Sequence, residues 1–226
     1  MNKDFYIKVC GMCAADNIKD VLALGVDMIG LNFWPKSPRY VKSVNVKAGI
    51  IPNTANRKVA ESVRRVKRVG VFVDEIPQTV ITHAYNYKLD YLQFHGSESP
   101  ICIDNLRRTM VPDILPDVKF IKVISVGCAD DVQRWREYDG HVDMLLFDTK
   151  CKEMGGSGRH FEWDWLMEYD GGIPFLLSGG IGPDDAERVR EFKHPMCVGV
   201  DINSRFETAP GIKDVDKIRD FIGHLK

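Results

Sequence analysis

The chain lacks a surplus of charge of either sign. Lys and Arg number 31 and Asp and Glu 32, for a formal net charge of −1. That balance gives no general attraction to nucleic acid or to an anionic membrane surface, and neither is expected as a partner. Long apolar runs are missing too, since nothing approaches the ~18 residues of a membrane-spanning helix. Met1-Asn2-Lys3-Asp4 leads straight into an alternating stretch from Phe5, without the apolar segment and cleavage site of a secretory signal. A cytoplasmic location is therefore expected. Cysteines are few: the six, at 10, 13, 102, 128, 151 and 197, are scattered through a chain too large to need a disulfide framework, and reduced thiols are the expectation. No linker-like or low-complexity stretch divides the 226 residues, which are read as one domain, 1–226.

What is present is an alternation. Eight short, nearly continuous apolar runs, at 5–9, 28–33, 68–73, 91–94, 120–124, 144–147, 174–177 and 197–201, have the composition of strands buried on both faces. Amphipathic stretches at 14–24, 77–87, 99–108, 130–138, 184–192 and 215–225 predict helices between them. Eight such units at roughly 28 residues each are what a single α/β (β/α)8 barrel, the TIM barrel, requires. A doubly wound open sheet is the alternative, and the even count favours closure. Residues 57–68 carry six Lys and Arg against Glu61. They are read as a solvated helix face running into the third strand rather than as an RNA patch.

Parallel barrels place their chemistry at the C-terminal ends of the strands. That rule selects Cys10, Arg39, Asp74, His95, Asp148 and Asp201. Cys10-Gly11-Met12-Cys13 is a CxxC at a strand-to-helix junction. Zinc would need further ligands, and no second CxxC or close His pair exists. A redox pair does not suit eight units. A single thiolate, its pKa lowered by a following helix N-terminus, suits the position, with a buried structural cysteine as the plain alternative. Cys13 stands about one helical turn from Cys10, near enough for a reversible disulfide to be considered, with packing of Cys13 between helix and barrel, out of reach of Cys10, as the plain alternative. Asp148 closes an apolar run, where partial removal from water favours the neutral, proton-donating form. A cap or salt-bridge role for it is equally open.

Ser178-Gly179-Gly180-Ile181-Gly182 and Asp201-Ile202-Asn203-Ser204 follow the seventh and eighth runs, where such barrels bind phosphate through backbone N–H groups. Gly155-Gly156-Ser157-Gly158 is a further candidate loop. Arg39 stands at the barrel mouth, where a guanidinium fork could meet a substrate carboxylate, although a surface role is commoner. His95 is a possible base or a structural histidine.

Taken in order, Lys8-Val9-Cys10-Gly11, Pro35-Lys36-Ser37-Pro38-Arg39-Tyr40-Val41, Gly70-Val71-Phe72-Val73, Gln93-Phe94-His95-Gly96, Phe147-Asp148-Thr149, Leu177-Ser178-Gly179-Gly180 and Val200 to Glu207 with Pro210-Gly211 resemble phosphoribosylanthranilate isomerase over nearly the whole chain. The resemblance implies a (β/α)8 enzyme of tryptophan biosynthesis that performs an Amadori rearrangement without metal or organic cofactor. It implies Cys10 as general base, Asp148 as general acid, Arg39 on the substrate carboxylate, and Gly179, Gly180, Asn203 and Ser204 on the phosphate of a small phosphosugar. A monomer or homodimer is expected. Cys13 departs from the family pattern, where Thr or another polar residue is common. Other phosphosugar barrels are enzymatic alternatives, and a regulatory phospholigand-binding barrel is one from another class.

Overall fold

The computed structural model describes residues 5–42, 66–149 and 163–225. Eight parallel strands close into a barrel in sequence order: β1 (Tyr6–Val9), β2 (Met28–Asn32), β3 (Lys67–Phe72), β4 (Tyr91–Phe94), β5 (Lys119–Val126), β6 (Met144–Thr149), β7 (Phe175–Ser178) and β8 (Cys197–Ile202). Closure, rather than an open sheet, is made by β8 pairing with β1, and that seam sets Lys8 opposite Asp201 and Val9 opposite Ile202.

Period-2 geometry sorts each strand onto two faces. On β1, Ile7 and Val9 join the core between barrel and helices. Tyr6 packs instead on the interior cluster that includes Met28, Val69, Ile121, Leu146 and Leu176. Lys8 shares the Tyr6 face, so it points into the barrel, where it is fully buried.

Helix α1 (Ala15–Leu22) buries Ile18, Val21 and Leu22. Helix α2 (Pro77–Tyr87) starts on proline and ends at Lys88 in the left-handed region. Helix α3 (Pro100–Met110) is capped by the Ser99 hydroxyl, which accepts from the Cys102 N–H at 3.3 Å. The predicted helix at 130–138 is instead a single turn, α4 (Ala129–Val132), followed by a 3-10 helix at Gln133–Tyr138. The tighter coil stacks residues three apart, which buries Trp135 and Tyr138 together. Likewise 184–192 resolves into a 3-10 turn at Pro183–Asp185 and α5 (Ala186–Glu191). Helix α6 (Val215–Leu225) keeps its predicted limits and buries Ile218, Phe221, Ile222 and Leu225.

An unpredicted hairpin, β9 (Glu207–Ala209) with β10 (Ile212–Lys213), follows β8. Its turn is Pro210-Gly211, with Gly211 at φ +83°, the signature of proline followed by a glycine at positive φ. The Gly155–Gly158 loop, Cys151 and most of the basic stretch, through residue 65, lie outside the described residues. No described helix is long and apolar enough to cross a membrane.

Candidate active site

A cavity of about 250 Å³ opens at the C-terminal ends of the strands. Cys10, Asp148, Gly179, Gly180, Asn203 and Ser204 all line it. Six residues expected from the sequence to share one site are therefore brought together. Asp201, Gln93 and His95 line it as well. Arg39 is not in the lining but lies alongside. A Cβ built on Gly11 would meet Arg39 Cδ at 2.5 Å and Asn203 Oδ1 at 2.8 Å, so Gly11, at φ +76°, lets both side chains crowd the strand end. Asp74 does not line the cavity. Its carboxylate accepts from the Ser97 N–H and hydroxyl, each at 2.7 Å, which fixes the loops after β3 and β4.

Cys10 follows β1 and is 6% exposed. Its N–H donates to the Ile202 carbonyl at 2.9 Å across the closing seam. Gly30 on β2 leaves room for the sulfur: a Cβ there would lie 2.7 Å from Cys10 Sγ. The expectation of a thiol acidified by a helix N-terminus is corrected here. Helix α1 begins only at Ala15, and burial pushes the Cys10 thiol up. The opposing, acidifying influence is the Lys8 ammonium, with Lys213 behind it. Cys13 points elsewhere, its thiol donating to the Gly211 carbonyl at 3.4 Å. Cys10 and Cys13 are both free thiols.

Asp148, on β6, is about one-third exposed, and its Oδ2 stands 3.4 Å from His95 Nε2. Gly179 and Gly180 have φ of +93° and +64°, a turn that side chains would strain, so backbone alone lines this wall. The Gly182 N–H donates to Asp185 Oδ2 at 2.7 Å and is thus already occupied.

The arrangement contains residues that strand-end reasoning passed over. Lys8 donates to Asp201 Oδ1 at 2.8 Å, both side chains buried. Glu207 takes the Arg39 fork, from Nε to Oε1 at 2.8 Å and from Nη2 to Oε2 at 2.6 Å. Lys213 Nζ donates to Glu207 Oε1 at 2.6 Å, to Asn203 Oδ1 at 2.7 Å and to the Asn203 carbonyl at 3.2 Å, which employs all three of its protons. Gln93 is 2% exposed, and among the described residues its Oε1 meets no hydrogen-bond partner. The one usable sequence signal was Pro210-Gly211, which marks the turn that brings Glu207 and Lys213 back toward Arg39 and Asn203. Among the described residues, no three His, Cys, Asp or Glu side chains are grouped to hold a metal ion.

A closed eight-stranded parallel barrel with a polar cavity at this end, walled by a glycine turn after β7 and a polar loop after β8, belongs to the class of (β/α)8 barrel enzymes. Residues 7–224 match the family model described as N-(5'-phosphoribosyl)anthranilate (PRA) isomerase. The N-(5'-phosphoribosyl)anthranilate isomerase of Parabacteroides distasonis is 42% identical over 219 residues, 97% of this chain and 92% of that one. The same-named protein of Phocaeicola vulgatus is 37% identical, over 97% of each chain. The crystal structure of phosphoribosyl anthranilate isomerase from Thermotoga maritima superposes with a TM-score of 0.76 at 30% identity, over 98% of both chains. A family structure holding reduced 1-(o-carboxyphenylamino)-1-deoxyribulose 5-phosphate gives 0.73 at 28% identity, again over 98% of both. The chain belongs to the phosphoribosylanthranilate isomerase family and is an isomerase.

Proposed function

We propose that the chain converts N-(5'-phosphoribosyl)anthranilate to 1-(2-carboxyphenylamino)-1-deoxyribulose 5-phosphate, with Cys10 as general base and Asp148 as general acid. Asp148 gives a proton to the ribose ring oxygen as the ring opens to an imine. The imine acidifies the neighbouring C2–H. The Cys10 thiolate removes that proton, and the resulting enolamine tautomerises to the ketone. The imine is its own electron sink, so the sequence of steps calls for neither metal nor organic cofactor. Arg39 pairs with the anthranilate carboxylate. Because Glu207 already takes the Nε–Nη2 edge, that contact uses the Nη1–Nη2 edge. Backbone N–H groups around Gly179, Gly180, Asn203 and Ser204 take the phosphate. The enzyme acts in the cytoplasm as a monomer or homodimer.

One observation carries this proposal. Cys10 after β1 and Asp148 on the non-adjacent β6 line a single cavity with the Gly179-Gly180 turn as a further wall. The test is loss of phosphoribosylanthranilate fluorescence on adding the protein, with and without EDTA. Turnover unaffected by EDTA is expected. Absence of turnover overturns the activity, and turnover abolished by EDTA overturns the metal-free route.

A further inference from the structure

We propose that Lys8 is a positioning residue for the reaction: its buried ammonium, anchored by Asp201, shares the barrel-facing side of β1 with Cys10 and favours formation of the thiolate that removes the substrate proton. This rests on Cys10 being the base proposed above.

The placement is unusual for a lysine. The interior face of the barrel is otherwise filled by side chains such as Met28, Val69, Ile121, Leu146 and Leu176. A residue serving only to plug the barrel would be apolar, because a buried ammonium loses its hydration and an ion pair only partly restores it. Lys8 is nonetheless 0% exposed. Two features set its position. It lies two residues before Cys10, and period-2 geometry turns both toward the barrel axis. The β1–β8 seam places Asp201 directly across from it, and Asp201 Oδ1 accepts one ammonium proton at 2.8 Å. Cys10 follows on the same strand face, so the Lys8 ammonium is the nearest opposite charge along β1 to favour its thiolate.

Four charged groups bear on that sulfur. Lys8 and Asp201 reach it from β1 and β8, Lys213 from the hairpin and Arg39 from the loop after β2. Asp148 bears in turn on Asp201 from β6. Lys213 has its three protons on Asn203 and Glu207. Arg39 has one edge on Glu207. Lys8 commits one of its three protons to Asp201. Burial is the largest influence on Lys8 and favours its neutral form, but Asp201 and Cys10 together outweigh it, so Lys8 stays charged. Burial of Cys10 works against the thiolate, Asp201 adds to that, and Lys8 is the largest influence in its favour. The two members of this ion pair therefore act on Cys10 with opposite signs.

The experiment measures kcat/KM against pH, together with the pH profile of Cys10 alkylation by iodoacetamide read on its own peptide by mass spectrometry. Lys8→Met keeps the side-chain volume and removes the charge. It is expected to move the acid limb of both profiles up by about 1–3 pH units, the effect of losing an adjacent opposite charge. At neutral pH this is a loss of about tenfold or more in kcat/KM, recovered at high pH, with KM little changed. Lys8→Arg is expected to retain most of the wild-type profile. Lys8→Gln, which removes the charge but keeps a donor for Asp201, supplies the test if Lys8→Met fails to fold. Coincident profiles for the wild type and the uncharged Lys8 variant overturn the proposal. Full turnover by Cys10→Ala would instead overturn Cys10 as base, while the alkylation profiles still decide whether Lys8 sets the state of the sulfur.

Discussion

Glu207 clamps Arg39 through two parallel hydrogen bonds, at 2.8 and 2.6 Å, although 168 residues separate them. The same carboxylate accepts from Lys213. A guanidinium held this way is pre-aimed, so less rotamer freedom is lost when a substrate carboxylate arrives. Arg39→Ala is expected to act mainly on KM, weakening binding by about 1.5–3 kcal/mol, the range for a hydrogen bond to a charged group. Arg39→Lys should recover only part, because an ammonium cannot span both carboxylates as a planar fork does. An unchanged KM for Arg39→Ala would return Arg39 to a structural role as the partner of Glu207.

Cys10→Ala and Asp148→Asn are each expected to lower kcat by about 10²–10⁴, the usual worth of a positioned proton-transfer group. Binding should change little, because the carboxylate and phosphate contacts remain. Steady-state kinetics with the labile substrate generated in situ provides the check. Near-wild-type kcat in either variant removes that residue from its assigned step.

Gly30 faces the sulfur of Cys10 rather than a turn, so its role is space. Gly30→Ala puts a methyl 2.7 Å from Cys10 Sγ and 3.0 Å from Cys10 Cα. Backbone on that side cannot yield, and the sulfur has to move. A fall in kcat is expected, together with strong non-additivity: in a Cys10→Ala background the same substitution should cost almost nothing further. Equal losses in both backgrounds would show that Gly30 serves strand packing alone.

Gln93 presents, in the wall of the cavity, a buried oxygen with no partner among the described residues. An unsatisfied buried acceptor destabilises a fold by about 1–3 kcal/mol, and one in the cavity wall is placed to meet a donor on the substrate. Gln93→Met, of similar volume, is expected to leave stability equal or higher in urea unfolding while raising KM. Lower stability with unchanged KM would show that the amide is structural.

Glu207 also sets an acid limit on stability. Burial, the largest single influence, raises its titration, but hydrogen bonds from Arg39 and Lys213 together bring it below the ordinary carboxylate value. A carboxyl depressed in the folded state contributes stability above its unfolded pKa, about 4.3 for glutamate, and that stability is lost as pH falls through the folded value. Glu207→Gln should therefore be less stable than wild type at neutral pH and lose less on acidification below about pH 4. Parallel stability curves for the two proteins across that window would contradict this.

The eight strands and most helices were legible because apolar periodicity is a local signal. Helix α2 (Pro77–Tyr87) and α6 (Val215–Leu225) have the limits that their patterns predict, since proline at one start and regular apolar spacing in both are read within a few residues. The 3-10 segment at Gln133–Tyr138 was not legible, because the same apolar residues satisfy either coil and only the wall they pack on decides. At the site, the strand-end rule found Cys10 and Asp148, and glycine clustering found the turn at Gly179 and Gly180.

What the sequence by itself determined was thus the barrel and the residue types at its mouth. Tertiary structure alone decided the electrostatics. Lys8 meets Asp201 across 193 residues because β8 closes on β1. Arg39 meets Glu207 because a two-stranded hairpin folds back over the first loop. Even the direction in which the Cys10 thiol is shifted reversed between sequence and fold. Charge and desolvation act through space, over distances that chain spacing does not encode, so they appear only when the barrel is closed.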